Sequence, residues 1–233
     1  MCLPREYASI FEERKVRTVS PTARFLRPLL FCGAAVLVAA CTRVVGGVAV
    51  PAFGIPPRQG VNGVRVDEIL LDQSRMRAIT GGGEHLTIIP SMDGDAPIDI
   101  DALAQTAPRA CRFVYAETAT FGPDIAEFHK TTFQDPPDGG LISEGAASYR
   151  DVATARGAFG ALVSSVGDCA TSGQGELYVG EWNADASSLQ VRPGGCGRDY
   201  RVVSLALLEV TFCGFPPSVS DIVMTNIAAN VPI

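Results

Sequence analysis

The sequence predicts an α+β domain built on an antiparallel sheet, and three observations carry that expectation. Residues 152–166 place Val152, Ala155, Phe159, Leu162, Val163 and Val166 at spacings of 3, 4, 3, 1 and 3, one continuous stripe on a helix. Two pairs of segments, the roughly alternating 126–133 with 141–149 and the Val-, Leu- and aromatic-rich 200–205 with 207–212, read as neighbouring strands. Helices and strands come in mixed order, with three or four helices and about six strands.

In chain order, the first segment has a secretory layout. Arg17, Arg24 and Arg27 precede an apolar run from Leu29 to Val38, and small Ala39 and Ala40 lead to Cys41. Leu37-Val38-Ala39-Ala40-Cys41 resembles a bacterial lipoprotein signal, in which the cysteine is lipidated and becomes the mature N-terminus. The expectation is a signal peptide at 1–40 and an acyl chain of the palmitate class on Cys41. The lipid would anchor the protein to the cell membrane on its extracytoplasmic face. Only 15 residues, Pro28 among them, separate Arg27 from Arg43, whereas a spanning helix needs ~20 apolar residues. Cleavage is therefore favoured over an uncleaved signal anchor. The stretch before the apolar run is unusually long and carries Glu6, Glu12 and Glu13, which places the expected start downstream of Met1.

From Cys41 onward 13 basic and 22 acidic residues remain, and Lys130 is the only lysine among them. So acidic a surface disfavours nucleic acid and anionic headgroups, which need clustered Lys and Arg. Residues 41–63 are rich in Gly, Pro and Val without periodicity, and Pro51, Pro56 and Pro57 favour extended segments. They read as a tether that holds the domain, 64–233, away from the membrane. Of seven cysteines, Cys2 and Cys32 precede Cys41, leaving Cys111, Cys169, Cys196 and Cys213 in the domain. In an exported chain four cysteines imply two disulfides, with three possible pairings. No Cys-x-x-Cys or His-x-x-x-His spacing points to zinc, and no cofactor motif is present.

Within the domain, Asp67 to Leu71 begins an apolar turn. Asp72 caps a predicted helix over 73–79 that Gly81 ends. Gly81-Gly82-Gly83 follow a helix and precede a predicted strand at 84–89, the reverse of a phosphate loop. Asp93, Asp95, Asp99 and Asp101 cluster in a loop, but Pro97, Ile98 and Ala104 stand where a calcium loop needs a ligand, Gly and Glu. A solvated loop is expected there. Pro108 opens a helix with Cys111, Val114 and Tyr115 on one face. Residues 135–140, Asp-Pro-Pro-Asp-Gly-Gly, form a turn between the first strand pair. Asp151 caps the 152–166 helix, with Cys169 one turn beyond. Residues 177–182 and 188–192 are two short predicted strands about a turn at 183–185. The chain closes on a capping-box pattern, Ser218-x-x-Asp221, with Val219, Ile222, Val223 and Ile227 along one helical face.

The order of parts resembles the PknH-like extracellular sensor domain family. It runs from lipobox and tether to a short Leu-Leu helix ending in Gly and a cysteine on a Pro-initiated helix. A cysteine after an Ala-rich amphipathic helix, two close cysteines flanking paired strands and an Ile/Val-rich last helix follow. The resemblance covers 66–232. In that family the domain lies outside the membrane on a mycobacterial serine/threonine kinase, and also occurs on free-standing lipoproteins. It implies a twisted antiparallel sheet with helices stapled to it by two disulfides, Cys111 to Cys169 and Cys196 to Cys213. It also implies an open cleft for a ligand that is not identified. One departure is that family members often carry Trp near the cysteines, whereas Val166 and Gly195 stand here and Trp182 is the only tryptophan. No kinase domain is present in this sequence.

Three functions are weighed on these residues. The first is a sensor-like module binding a small envelope molecule, for which Tyr115, Tyr149, Tyr178, Trp182 and Tyr200 could stack on a ligand or equally fill the core; none is assigned as a binding residue. The second is an adaptor lipoprotein holding another envelope protein through an apolar patch. The third is a hydrolase using His129 with Ser143 or Ser148 and Asp124. Only His85 and His129 are available as neutral-pH bases, and no Gly-x-Ser-x-Gly occurs. The first reading is preferred, with no catalytic residue assigned and no catalytic activity expected.

Overall fold

The computed structural model describes residues 64–233; the signal at 1–40, Cys41 and the tether at 41–63 lie outside the described residues. Seven strands form one sheet: β1 (Thr87–Ile88), β2 (Ile125–Asp135), β3 (Gly140–Tyr149), β4 (Glu181–Ala184), β5 (Ser188–Arg192), β6 (Cys196–Val203) and β7 (Ala206–Cys213). Their order is β1-β2-β3-β7-β6-β5-β4, and every neighbour pairs antiparallel. The 135–140 turn joins β2 to β3, setting Lys130 opposite Gly145 and Phe133 opposite Ile142. Helices cover both faces, so central strand β3 is buried along nearly its whole length instead of alternating with solvent.

On one face, α1 (Gln73–Thr80), α6 (Pro217–Ala229) and residues 64–71 pack over Phe133, Ile142, Ala146, Leu208 and Val210. On the other, α4 (Val152–Ala170) and the 3-10 turn Arg109–Val114 cover Phe128, Ala147, Tyr149, Leu189, Tyr200 and Leu207. The predicted stripe of α4 is core at Ala155, Phe159, Leu162 and Val166, while Val152 is exposed in the first turn. Asp151 caps α4 by accepting the Thr154 N–H, and Asp72 caps α1 by accepting the Arg75 N–H. Gly81, at φ +76, ends α1 as expected.

Several elements differ from the sequence expectation. The strand expected at 84–89 shrinks to β1, because Gly83–His85 is a 3-10 turn. The Pro108 segment is a 3-10 turn, with Cys111 and Phe113 buried. Residues 177–179 are not strand but the end of α5 (Gly175–Val179). The cause is the close return of the chain on α4: a Cβ at Gly175 would fall 1.8 Å from the Cys169 carbonyl oxygen, so only glycine lets the next turn start there. Ser218 does not cap α6, which begins one residue earlier at Pro217 without a side-chain cap. Ser220, facing inward, instead donates to buried Asp199. Ile222 is about half exposed, leaving Val219, Val223 and Ile227 as the buried stripe.

Two disulfides join Cys111 to Cys169 and Cys196 to Cys213, the pairing the family resemblance implies. The first ties the 109–114 turn to the last turn of α4, so Cys169 lies inside the helix. The second links directly opposed residues at the ends of β6 and β7. Trp182, contributed by β4, lies beside Gly167, two residues before Cys169.

Candidate functional site

Small α3 (Glu117–Phe121) ends at Gly122, whose φ of +73 reverses the chain through Pro123 and Asp124 into β2. This reversal faces the first half of α4, whose side chains there are Ala153, Thr154, Gly157, Ala158 and Ala161. None of them extends beyond threonine, and an open groove of about 510 Å³ remains between the helix and the turn. Its floor is Phe121 and Tyr149, both fully buried, and the Tyr149 hydroxyl donates to the Phe121 carbonyl at 2.7 Å. Burial raises the Tyr149 pKa, keeping the phenol protonated as that donor. Arg150, Asp151 and Asp124 supply charge at the rim.

Of the five aromatic residues considered from sequence, Tyr149 alone lines this groove. Tyr200 is buried on the α4 face of the sheet, and Tyr115 and Tyr178 meet edge to face with ring centroids 6.2 Å apart. Trp182 is partly exposed beside α4. The groove residues themselves were not singled out from sequence. Their signal is the Gly122-Pro123 turn together with the small outward residues of the Val152 helix, neither of which names a chemistry.

His129 is not placed for the serine triad considered from sequence. Its Nδ1 lies 2.5 Å from Asp67 Oδ1 and its Nε2 3.1 Å from Asp93 Oδ1. Burial works against the imidazolium, but these two carboxylates outweigh it and raise the His129 pKa. Ser143 is buried and bonds the Thr132 hydroxyl at 2.9 Å. Ser148 is buried too, and Asp124 is exposed at the groove rim. Serine, histidine and aspartate are therefore not assembled. His85 is exposed in the Gly83–His85 turn.

Two of the four residues of the acidic loop are engaged by neighbouring side chains and backbone. Asp93 accepts from His129 and Thr131, and Asp99 accepts the Thr118 N–H at 3.0 Å. Asp95 and Asp101 are exposed. Among the described residues, no three His, Cys, Asp or Glu side chains converge as a metal site.

A profile of the PknH-like extracellular domain matches residues 61–230. The chain belongs to the PknH-like extracellular domain family. The crystal structure of the extracellular domain of PknH from Mycobacterium tuberculosis has a similar fold. Its TM-score is 0.55 at 12% identity, covering 71% of this chain and 93% of that one. No curated protein matches the sequence. In this PknH-like domain the sheet, the helices and both disulfides agree with the architecture that the sequence resemblance implied. Among the described residues, no helix is long and apolar enough to cross a membrane.

Proposed function

We propose that this chain is an extracytoplasmic binding module, lipidated at Cys41, that takes a small envelope molecule in the groove between residues 119–124 and α4. The observation that carries the reading is the groove itself. Its volume of about 510 Å³ falls within the ~300–1,000 Å³ of small-molecule sites, and its mixture of apolar floor and polar rim has their character. No catalytic role is assigned to any residue. Any signal would pass through a partner.

The reading is tested by native mass spectrometry of the full-length chain purified from its own envelope, compared with Gly157→Trp, whose indole would occupy the groove. The expected result is a small-molecule adduct on the wild type that the variant lacks, on a chain whose N-terminus is acylated Cys41. Equal adducts on both proteins, or none on either, would overturn the groove assignment. An unmodified Cys41 would overturn the anchor.

A second reading, an envelope adaptor that holds another protein, is favoured by one observation. Met92, Ile98 and Ile100 are all about half exposed on the single segment between β1 and α2 (Asp101–Ala104). Crosslinking in intact cells that gives a protein adduct from this segment, and no small-molecule adduct, supports this reading over the groove.

A further inference from the structure

The first segment of the domain, residues 64–71, lies across the α6 face of the sheet and is held there by three side chains from the β2–β3 hairpin. Val64, Val66, Ile69 and Leu71 insert into the core. Around them, Glu127 accepts the Val66 N–H at 3.5 Å, His129 contacts Asp67 at 2.5 Å, and Glu144 accepts the Leu71 N–H at 2.9 Å. Glu144 is fully buried, and its second oxygen has no protein partner among the described residues. A carboxylic acid suits that position, because its carbonyl oxygen accepts the Leu71 N–H while its hydroxyl carries no charge. A carboxylate there would be a buried, unpaired charge.

We infer that residues 64–71 form a proton-dependent latch, which His129 and Glu144 fasten to the sheet while each carries a proton and which opens more readily as they lose it. The surroundings of both groups push in the same direction. Burial, with the charge of Asp72 adding to it, raises the Glu144 pKa to about 8 against the Leu71 hydrogen bond. At His129, burial is outweighed by Asp67 and Asp93. The other groups facing the pair are Glu127 and the Thr131 hydroxyl, and Arg65 in the same segment is already paired with Glu68. Among the described residues, no cation near Glu144 rewards its ionisation.

The sign follows from linkage. The fastened state binds the extra proton of Glu144 between the ordinary carboxyl pKa near 4.5 and about 8. Opening is therefore favoured about tenfold per pH unit across that window and levels off above it. His129 adds a second proton above its ordinary value of 6.5. The four buried apolar side chains oppose complete release, so the change is expected as local opening and not as loss of the fold.

Hydrogen exchange on the full-length chain at pH 5 to 9, with each amide rate divided by its intrinsic rate at that pH, tests the latch. The expected result is that relative exchange at Leu71 rises about tenfold per pH unit from about 5 to 6.5 and more steeply above 6.5, where His129 adds its proton, and remains faster than exchange at β3 and β7 amides throughout. A flat profile, or exchange at Leu71 only in step with β3 and β7, would falsify it. Glu144→Gln keeps an acceptor for Leu71 but cannot ionise, so its profile should be flat below pH 6.5 and rise only above it. The full wild-type slope persisting in that variant overturns the inference. The wild-type measurement decides by itself if the variant does not fold.

Discussion

Lys130 of β2 reaches over Gly145 of β3 to Glu209 of β7, bringing Nζ within 3.0 Å of Oε2. Glu117 of α3 meets the same ammonium at 2.8 Å, while Arg198 of β6 and Thr211 hold the other oxygen of Glu209 at 3.4 and 3.0 Å. Burial opposes the charge on Glu209, but Lys130 and Arg198 outweigh it and lower its pKa. Lys130→Met would leave Glu209 buried with only part of its compensation and Glu117 without its ammonium. A loss of ~3–5 kcal/mol in urea unfolding at pH 7 is expected. The stabilisation linked to Glu209 is present above the ordinary carboxyl range and disappears as pH falls through its lowered pKa. The gap between variant and wild type should therefore narrow in acid.

The two disulfides should not be equivalent. Cys111 and Cys169 are separated by 58 residues, Cys196 and Cys213 by 17. If constraint of the unfolded chain dominates, replacing the first pair with serine costs ~4 kcal/mol and the second ~3 kcal/mol. The second pair also has the β6–β7 ladder to hold its partners in register. Urea midpoints of the two double-serine variants give the comparison. A greater loss from the 196–213 pair would contradict the entropic ordering.

Much of this architecture was legible wherever one periodicity served one environment. The Val152 stripe, the Asp72 and Asp151 caps and the Asp-Pro-Pro-Asp-Gly-Gly turn are local, and each forms where the sequence places it. Leu177-Tyr178-Val179 misleads because apolar and aromatic residues suit a strand, whereas the approach of Gly175 to Cys169, invisible in sequence, winds them into a helical turn. The charge cluster was hidden for another reason. Lys130, Arg198 and Glu209 are far apart in sequence and each alone reads as a solvent-facing residue, so only the β2-β3-β7-β6 order brings them together. The groove is a gap left by small side chains, and pattern reading registers what residues fill more readily than what they leave open.

Tyr149→Phe tests the groove floor without changing its shape. The lost hydroxyl leaves the Phe121 carbonyl without its buried donor, a cost of ~1–3 kcal/mol. Thermal unfolding measures that cost. Exchange at Gly122, whose amide closes the end of α3 on the Thr118 carbonyl, should quicken if the bond also holds the α3 turn in place.

Gly160 offers the opposite kind of change. It lies within α4 on the exposed side, and a Cβ built there meets nothing within 4 Å. Glycine in a helix interior carries a backbone-entropy cost that alanine avoids, so Gly160→Ala should stabilise the domain by ~0.5–1 kcal/mol. For a domain of this size that is a Tm increase of about 1–4 °C. Gly157 has the same open surroundings but lines the groove. Gly157→Ala should therefore give a similar gain in Tm in the ligand-free chain, because helix propensity is local and indifferent to the groove. Equal gains at 157 and 160 would show that neither glycine is needed for folding. A loss at Gly157 alone would mean that the helix there is held closer to residues 119–124 than an open groove of this volume allows.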